Sequence, residues 1–186
     1  MEIDATFRVR PRLVVFRSTP FDVDAWRGVG EPSRYQGRFH RKGEPLPQYA
    51  SDSADATLRE LELHTDSPLE PAREILRRIT AVGLAAGARI LAADDAATLD
   101  VIGLSLKQVY HPTDYGACQA IADYAKSIPK VAAISTQSNA DRLRRTFAIL
   151  PESSVRLTAE VDRWEGSLNL LRLAFDRGRD QPSPSR

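Results

Sequence analysis

Few side chains in this sequence have both the type and the neighbours that catalysis needs. His40, His64 and His111 stand far apart, with no HExxH and no ligand spacing, and read as solvated or packed histidines. Cys118 falls on the apolar side of an expected helix and reads as a small buried thiol. There is no GxSxG elbow, no GxGxxG after a strand and no GxxxxGK[ST] loop. What remains is Arg38 in YQGRFHRKG, Tyr49 in LPQYASDS, Glu60 in ATLRELELH and Ser138 in AISTQSN. An arginine presents a planar fork of donors suited to phosphate oxygens, and a carboxylate can stabilise a developing positive charge. Arg38 to Tyr49 is 11 residues and Tyr49 to Glu60 again 11, but that spacing is no chemical signature. In a chain with 27% charged residues, an Arg and a Glu are by default solvated surface.

The elements that must position these residues are short. LVVFR, 13–17, reads as a buried strand because its valines are stiff at χ1 and suit a pleated surface. Residues 18–48 are rich in Pro and Gly without a period, and a loop that long inside a compact domain is often functional. Trp26, Tyr35, Phe39 and His40 mark it as packed. A short strand over 48–50 follows, then a helix over 54–64 capped by Ser51, Asp52 or Ser53. Pro68 and Pro71 break the chain. For 72–82, Ile75, Leu76, Ile79 and Val82 fit a helical period, although RRITAV also suits a strand; the reading leans to helix. Further on, strands are expected at 88–92, 131–135, 146–150 and 155–161. Helices are expected at 96–102, capped by Asp94 or Asp95 and ended by Gly103, and at 115–127, with a turn or short helix at 105–109. The class is α+β, without regular βαβ alternation.

The composition bounds the answer. The chain has 186 residues, 42% of them hydrophobic, which suits one soluble domain that buries its core without a staple. One cysteine excludes a disulfide framework and a multi-cysteine zinc site, and no metal is expected. A net charge of +1 argues against direct nucleic-acid binding by this chain alone. The sequence has no apolar run of the roughly 20 residues a membrane span needs. Nor does MEIDATFRVR contain the apolar stretch of a signal peptide, so the expected location is the cytoplasm. The expected organisation is an extension at 1–12, a domain over 13–175 and a disordered, charged, Pro/Ser-rich tail at 176–186.

The block GRFHRKGEPLPQYASDSADATLRELELH resembles the central signature of the RES domain, named for its Arg, Glu and Ser. Gly37, Arg38 and Phe39 match its opening, Tyr49 with Ser51 and Ser53 its middle, and Glu60 its helix end. ARILAADDAATLDVIGLSLKQV and DYGACQAIADYA, with Gln119, are similar to later family segments. AAISTQSN resembles the strand leading to the family's serine, which falls on Ser138 or, in the other register, Ser135; Gln137 stands where a proline is usual. LVVFR, with Arg17, resembles the opening strand.

The resemblance implies an ADP-ribosyltransferase-like α+β core. It also implies a bacterial toxin that cleaves the nicotinamide–ribose bond of NAD+, with water or inorganic phosphate as acceptor, and that is neutralised by an Xre-type antitoxin. NAD+ would be a substrate and no cofactor is implied. By the same resemblance Arg38, Tyr49, Glu60 and Ser138 carry the reaction, and Arg17, Arg38, Tyr49 and Ser138 contact NAD+. Transfer of ADP-ribose to a macromolecule, or binding without turnover, are the alternatives.

Overall fold

A computed structural model describes residues 6–8, 13–21, 31–65, 76–83, 88–111, 113–151, 158–167 and Leu171. Trp26, Pro68, Pro71 and the tail at 176–186 lie outside those residues. The described chain forms eight strands: β1 (Thr6–Arg8), β2 (Val14–Pro20), β3 (Gln48–Ser51), β4 (Leu76–Gly83), β5 (Arg89–Ala92), β6 (Val131–Gln137), β7 (Arg145–Ile149) and β8 (Thr158–Ser167). Among the described residues the helices are α1 (Ala54–Thr65), α2 (Ala96–Ile102), α3 (Leu106–Val109) and α4 (Gly116–Ser127).

The strands make one sheet in the order β1-β5-β6-β7-β3-β2-β4-β8. Its neighbours are antiparallel except β5 and β6, which run parallel and are joined through α2, α3 and α4. That crossover is what a parallel pair requires, since a tight hairpin cannot join strands running the same way. β6 is buried over Val131–Thr136, so VAAIST lacks the alternation of a half-exposed strand. The α+β expectation therefore holds. β1 lies within the first twelve residues and pairs with β5, so the sheet reaches into the segment expected as an extension.

One expectation is corrected. Residues 76–83 are strand β4, not part of a helix over 72–82. The 3- and 4-residue spacing of Ile75, Leu76, Ile79 and Val82 mimics a helix. However, β2 pairs along one edge of this segment from Val14↔Gly83 to Pro20↔Arg77, and β8 pairs along the other. Ile79, Thr80, Ala81 and Val82 are all buried, and cross-strand packing overrides the local period. β8 also runs later than expected, to Ser167.

Three apolar clusters hold the layers. Ala93, Leu99, Val109, Cys118, Ile121, Ala122 and Ala125 pack α2 to α4 against Leu91, Ile134 and Ala148 of the sheet. Val15, Ala50, Val82, Ile90, Ala133, Phe147 and Ile149 form a second cluster. Ala54 and Leu58 of α1 pack with Ile79, Leu171, Phe16 and Trp164 in a third. α1 is thereby fixed on β2 and β4, and α4 on β6, with β3 and β7 between them.

Candidate functional site

Arg38 sits in the irregular segment between β2 and β3, so its position depends on what ties that segment down. Among its described residues Phe39, His40 and Pro47 are buried, whereas Tyr35 is 79% exposed. Gln119 of α4 donates from Nε2 to the carbonyls of Gly37 and His40, at 3.3 Å each. Arg41 forks onto Asp123 of α4, at 2.9 and 2.7 Å, and also meets Glu44. The Gly37 N–H donates to the His40 carbonyl at 2.9 Å, closing a tight turn around Arg38. A Cβ at position 37 would land within the His40 imidazole, which is why glycine precedes the arginine.

Within this turn the Arg38 guanidinium donates from Nη2 to the Val109 carbonyl at 3.1 Å. Its Cζ lies 5.2 Å from the Tyr110 ring centroid and 5.7 Å from that of Phe39. Tyr49 lies across from Ala148 in the sheet. Its hydroxyl accepts from the Phe39 N–H at 3.4 Å and sits 3.5 Å from His40 Nδ1, while the residue as a whole is 42% exposed. A ring with one end anchored and a flank open can serve as a platform. Burial of the hydroxyl pushes its pKa up to about 12, against the opposing pull of the Phe39 N–H and the Arg38 charge. Tyr49 is therefore a neutral phenol at physiological pH.

The second half of the site is built from α1 and the turn between β6 and β7. Ser53 Oγ accepts from the Ala56 N–H at the start of α1. Asp52 exchanges hydrogen bonds with the Arg145 backbone: its N–H donates at 3.0 Å, and its Oδ2 accepts at 3.1 Å. These ties hold α1 to the turn, and Glu60, two helical turns along, meets it. Glu60 Oε1 accepts from Ser138 Oγ at 2.5 Å, from the Asn139 N–H at 3.1 Å and from the Ala140 N–H at 3.4 Å. Ser138, 1% exposed, accepts in turn from the N–H groups of Ala140 and Asp141. Glu60 Oε2 has no partner among the described residues. A carboxylate with one oxygen held and the other unspent can meet a developing cation.

Ser138, rather than Ser135, is therefore the serine beside Glu60; the Ser135 hydroxyl accepts from Arg145 Nη2 instead, at 3.1 Å. Arg17 lies on β2 opposite Thr80, and among the described residues no hydrogen bond joins it to the other four. Its Nε and Nη1 are buried with no partner among the described residues, and burial pulls its pKa down to about 10, still cationic at neutral pH. No group of three or more potential metal-ligating side chains occurs among the described residues.

A link that the residue pattern did not reveal joins the two halves. Asp94 Oδ2 accepts from the Tyr110 hydroxyl at 2.9 Å and from the Gln137 N–H at 2.8 Å, and Oδ1 accepts from Arg145 at 2.6 Å. Burial pushes the Asp94 carboxyl up, but these donors and the Arg145 charge outweigh it and hold the pKa below the ordinary value. The Tyr110 hydroxyl is pushed up to about 12 by burial and by Asp94. The acid pair was visible as a cap, and Asp95 does cap α2, accepting from the Thr98 N–H. Only one acid is needed there, and the other is free for this link.

A family model described as RES domain matches residues 10–169. Among curated proteins nothing matches the chain. Among solved structures, the chain is similar to one described as the crystal structure of the M. tuberculosis MbcT-MbcA toxin-antitoxin complex. The identity is 17%, with 90% of each chain covered and a TM-score of 0.66, a likeness of fold.

Proposed function

We propose a function for this chain from the premise that it belongs to the RES domain family: it is the toxin of a toxin–antitoxin pair and cleaves the nicotinamide–ribosyl bond of NAD+. The observation that carries this reading is the Glu60 carboxylate, whose Oε1 is held by Ser138, Asn139 and Ala140 while Oε2 is left for a ligand.

Each residue has a part in that reaction. The bond from the ribose anomeric carbon to the pyridinium nitrogen breaks with its electron pair going to nitrogen, so nicotinamide leaves neutral and no general acid is required. The ribose becomes oxocarbenium-like, as in glycoside cleavage, and Glu60 Oε2 stabilises it. A water or phosphate oxygen then bonds to the anomeric carbon, and a water acceptor gives up its proton to solvent. Arg38 spends one N–H on Val109 and turns the rest of its fork to the diphosphate. Tyr49 offers its ring to the nicotinamide. Ser138 acts by holding Glu60 and is no nucleophile, since no histidine base accompanies it. Arg17, a buried cation with unspent donors, is a second phosphate contact. An Xre-type antitoxin protein is the partner, and the likeness to a toxin–antitoxin complex supports that reading.

The test follows nicotinamide release from NAD+ by the purified chain, with and without millimolar phosphate, beside a Glu60→Gln control. Release that is lost in the control supports the reading, and phosphate dependence names the acceptor. Undiminished release by Glu60→Gln overturns the assigned role of Glu60. No release by the wild-type chain overturns NAD+ cleavage. Radiolabelled NAD+ with cell extract then tests transfer to a macromolecule.

A further inference from the structure

We infer that Asp94 is a positioning residue that acts on both halves of the site, through Tyr110 on Arg38 and through Gln137 on the Ser138–Glu60 pair. The inference rests on the roles given above to Arg38 and Glu60, and it assigns residues that those roles do not include.

The geometry is that of one carboxylate serving two arms. On the first arm, Oδ2 accepts the Tyr110 hydroxyl at 2.9 Å. The Tyr110 ring is the surface beneath the Arg38 guanidinium, 5.2 Å from centroid to Cζ, and the preceding carbonyl, Val109, takes an Arg38 N–H. A phenol fixed at both its backbone and its hydroxyl cannot swing, so the cation above it has a fixed floor. On the second arm, the Gln137 N–H is shared between Asp94 Oδ2 at 2.8 Å and the Tyr110 hydroxyl at 3.1 Å. Gln137 is the last residue of β6, and the next residue is Ser138, whose hydroxyl donates to Glu60. The Ser138 N–H donates to the Arg144 carbonyl at 2.9 Å, so the turn is held on both sides of the serine.

Arg145 completes the device. Its Nη2 donates to Asp94 Oδ1 at 2.6 Å and to Ser135 at 3.1 Å, orienting the carboxylate so that Oδ2 faces the two arms. The Asp94 side chain is only 13% exposed, so these bonds compete weakly with water. A purely structural ion pair would need neither the tyrosine hydroxyl nor the backbone N–H beside the serine. Here both are spent on the oxygen that Arg145 leaves open.

The test is a pair of double-mutant cycles read by nicotinamide release. Tyr110→Phe removes only the hydroxyl and should raise KM for NAD+ about fivefold, the usual size of one lost hydrogen bond, with kcat little changed. Placed in an Arg38→Lys background it should raise KM no further. Asp94→Asn weakens the second arm and should lower kcat about tenfold in the wild type, yet lower it no further in a Ser138→Ala background. Thermal unfolding of each variant identifies those that fold, and Tyr110→Phe alone decides the matter if Asp94→Asn does not. Additive effects in the cycles, or wild-type KM in a folded Tyr110→Phe variant, overturn the inference alone. A wild-type chain that releases no nicotinamide overturns the proposed reaction and this inference together.

Discussion

The sharpest test of how Glu60 works is to remove the hydroxyl beneath it. In Ser138→Ala, Oε1 loses its shortest donor, at 2.5 Å, and keeps the two N–H groups at 3.1 and 3.4 Å. A hydrogen bond to a charged acceptor contributes about 1.5–3 kcal/mol. With two donors still in place the lower figure applies, and about 1.5 kcal/mol corresponds to roughly a tenfold loss in rate. In the proposed reaction this hydrogen bond places a carboxylate that matters as the ribose gains charge, so the loss belongs in kcat, with KM changed less than about twofold. The same substitution strips the Asp141 N–H of its acceptor and leaves the Ala140 N–H with Glu60 Oε1 alone. Stability should therefore fall by about 1–3 kcal/mol, which is roughly 2–4 °C of Tm per kcal/mol for a chain of this size. Initial rates of nicotinamide release well below Tm separate the two effects. Ser127→Ala, which removes a hydroxyl bond to the Tyr124 carbonyl at the exposed end of α4, should leave kcat unchanged. A folded Ser138→Ala variant with kcat within twofold of wild type would refute the reasoning.

Three further outcomes are expected. Gly37→Ala puts a Cβ into the His40 ring and should cost about 1–3 kcal/mol in denaturant unfolding, because the imidazole must leave Ser33 and Tyr49. Arg38→Lys keeps the charge but not the fork, and should raise KM for NAD+ about tenfold in initial-rate measurements. Burial holds the His40 pKa below its ordinary 6.5, so the folded state favours the neutral ring. The unfolded chain then takes up the proton first, and stability is complete above pH 6.5 and lost as pH falls towards the lowered pKa. Urea midpoints between about pH 7 and pH 5 should show that fall, and it should shrink in His40→Gln.

The sequence shows its elements wherever local signals and tertiary demands agree. Asp95 and Gly103 bracket α2 as cap residues do, with Gly103 left-handed at φ 72°. The stiff valines of β2 and the apolar stripe Cys118, Ile121, Ala122 and Ala125 of α4 do what their spacing requires. β4 was not legible, because a strand buried on both faces has no alternation and its apolar spacing happens to fit a helix. The site was legible in part. Glu60 and Ser138 carry no local mark of their partnership, since 78 residues separate them and the bond exists only once the sheet has brought α1 to the β6–β7 turn. Asp94 and Tyr110 were hidden for another reason. One looks like a helix cap and the other like an aromatic beside a short helix, and only the fold shows them bonded.

The sheet order also has a consequence for when the candidate site can assemble during synthesis of the chain. β3, which carries Tyr49 and leads into the Glu60 helix, lies between β2 and β7, and its continuous ladder is with β7. Until residues 145–149 leave the ribosome, that edge of β3 is unpaired and Glu60 has no turn to meet. At about 5–20 residues per second, translation from β3 to β7 takes roughly 5–20 seconds, during which the nascent chain holds Arg38, Tyr49 and Glu60 without an assembled site. A chain terminated before the β6–β7 turn stays in that state, because Glu60 meets Ser138 only once that turn exists.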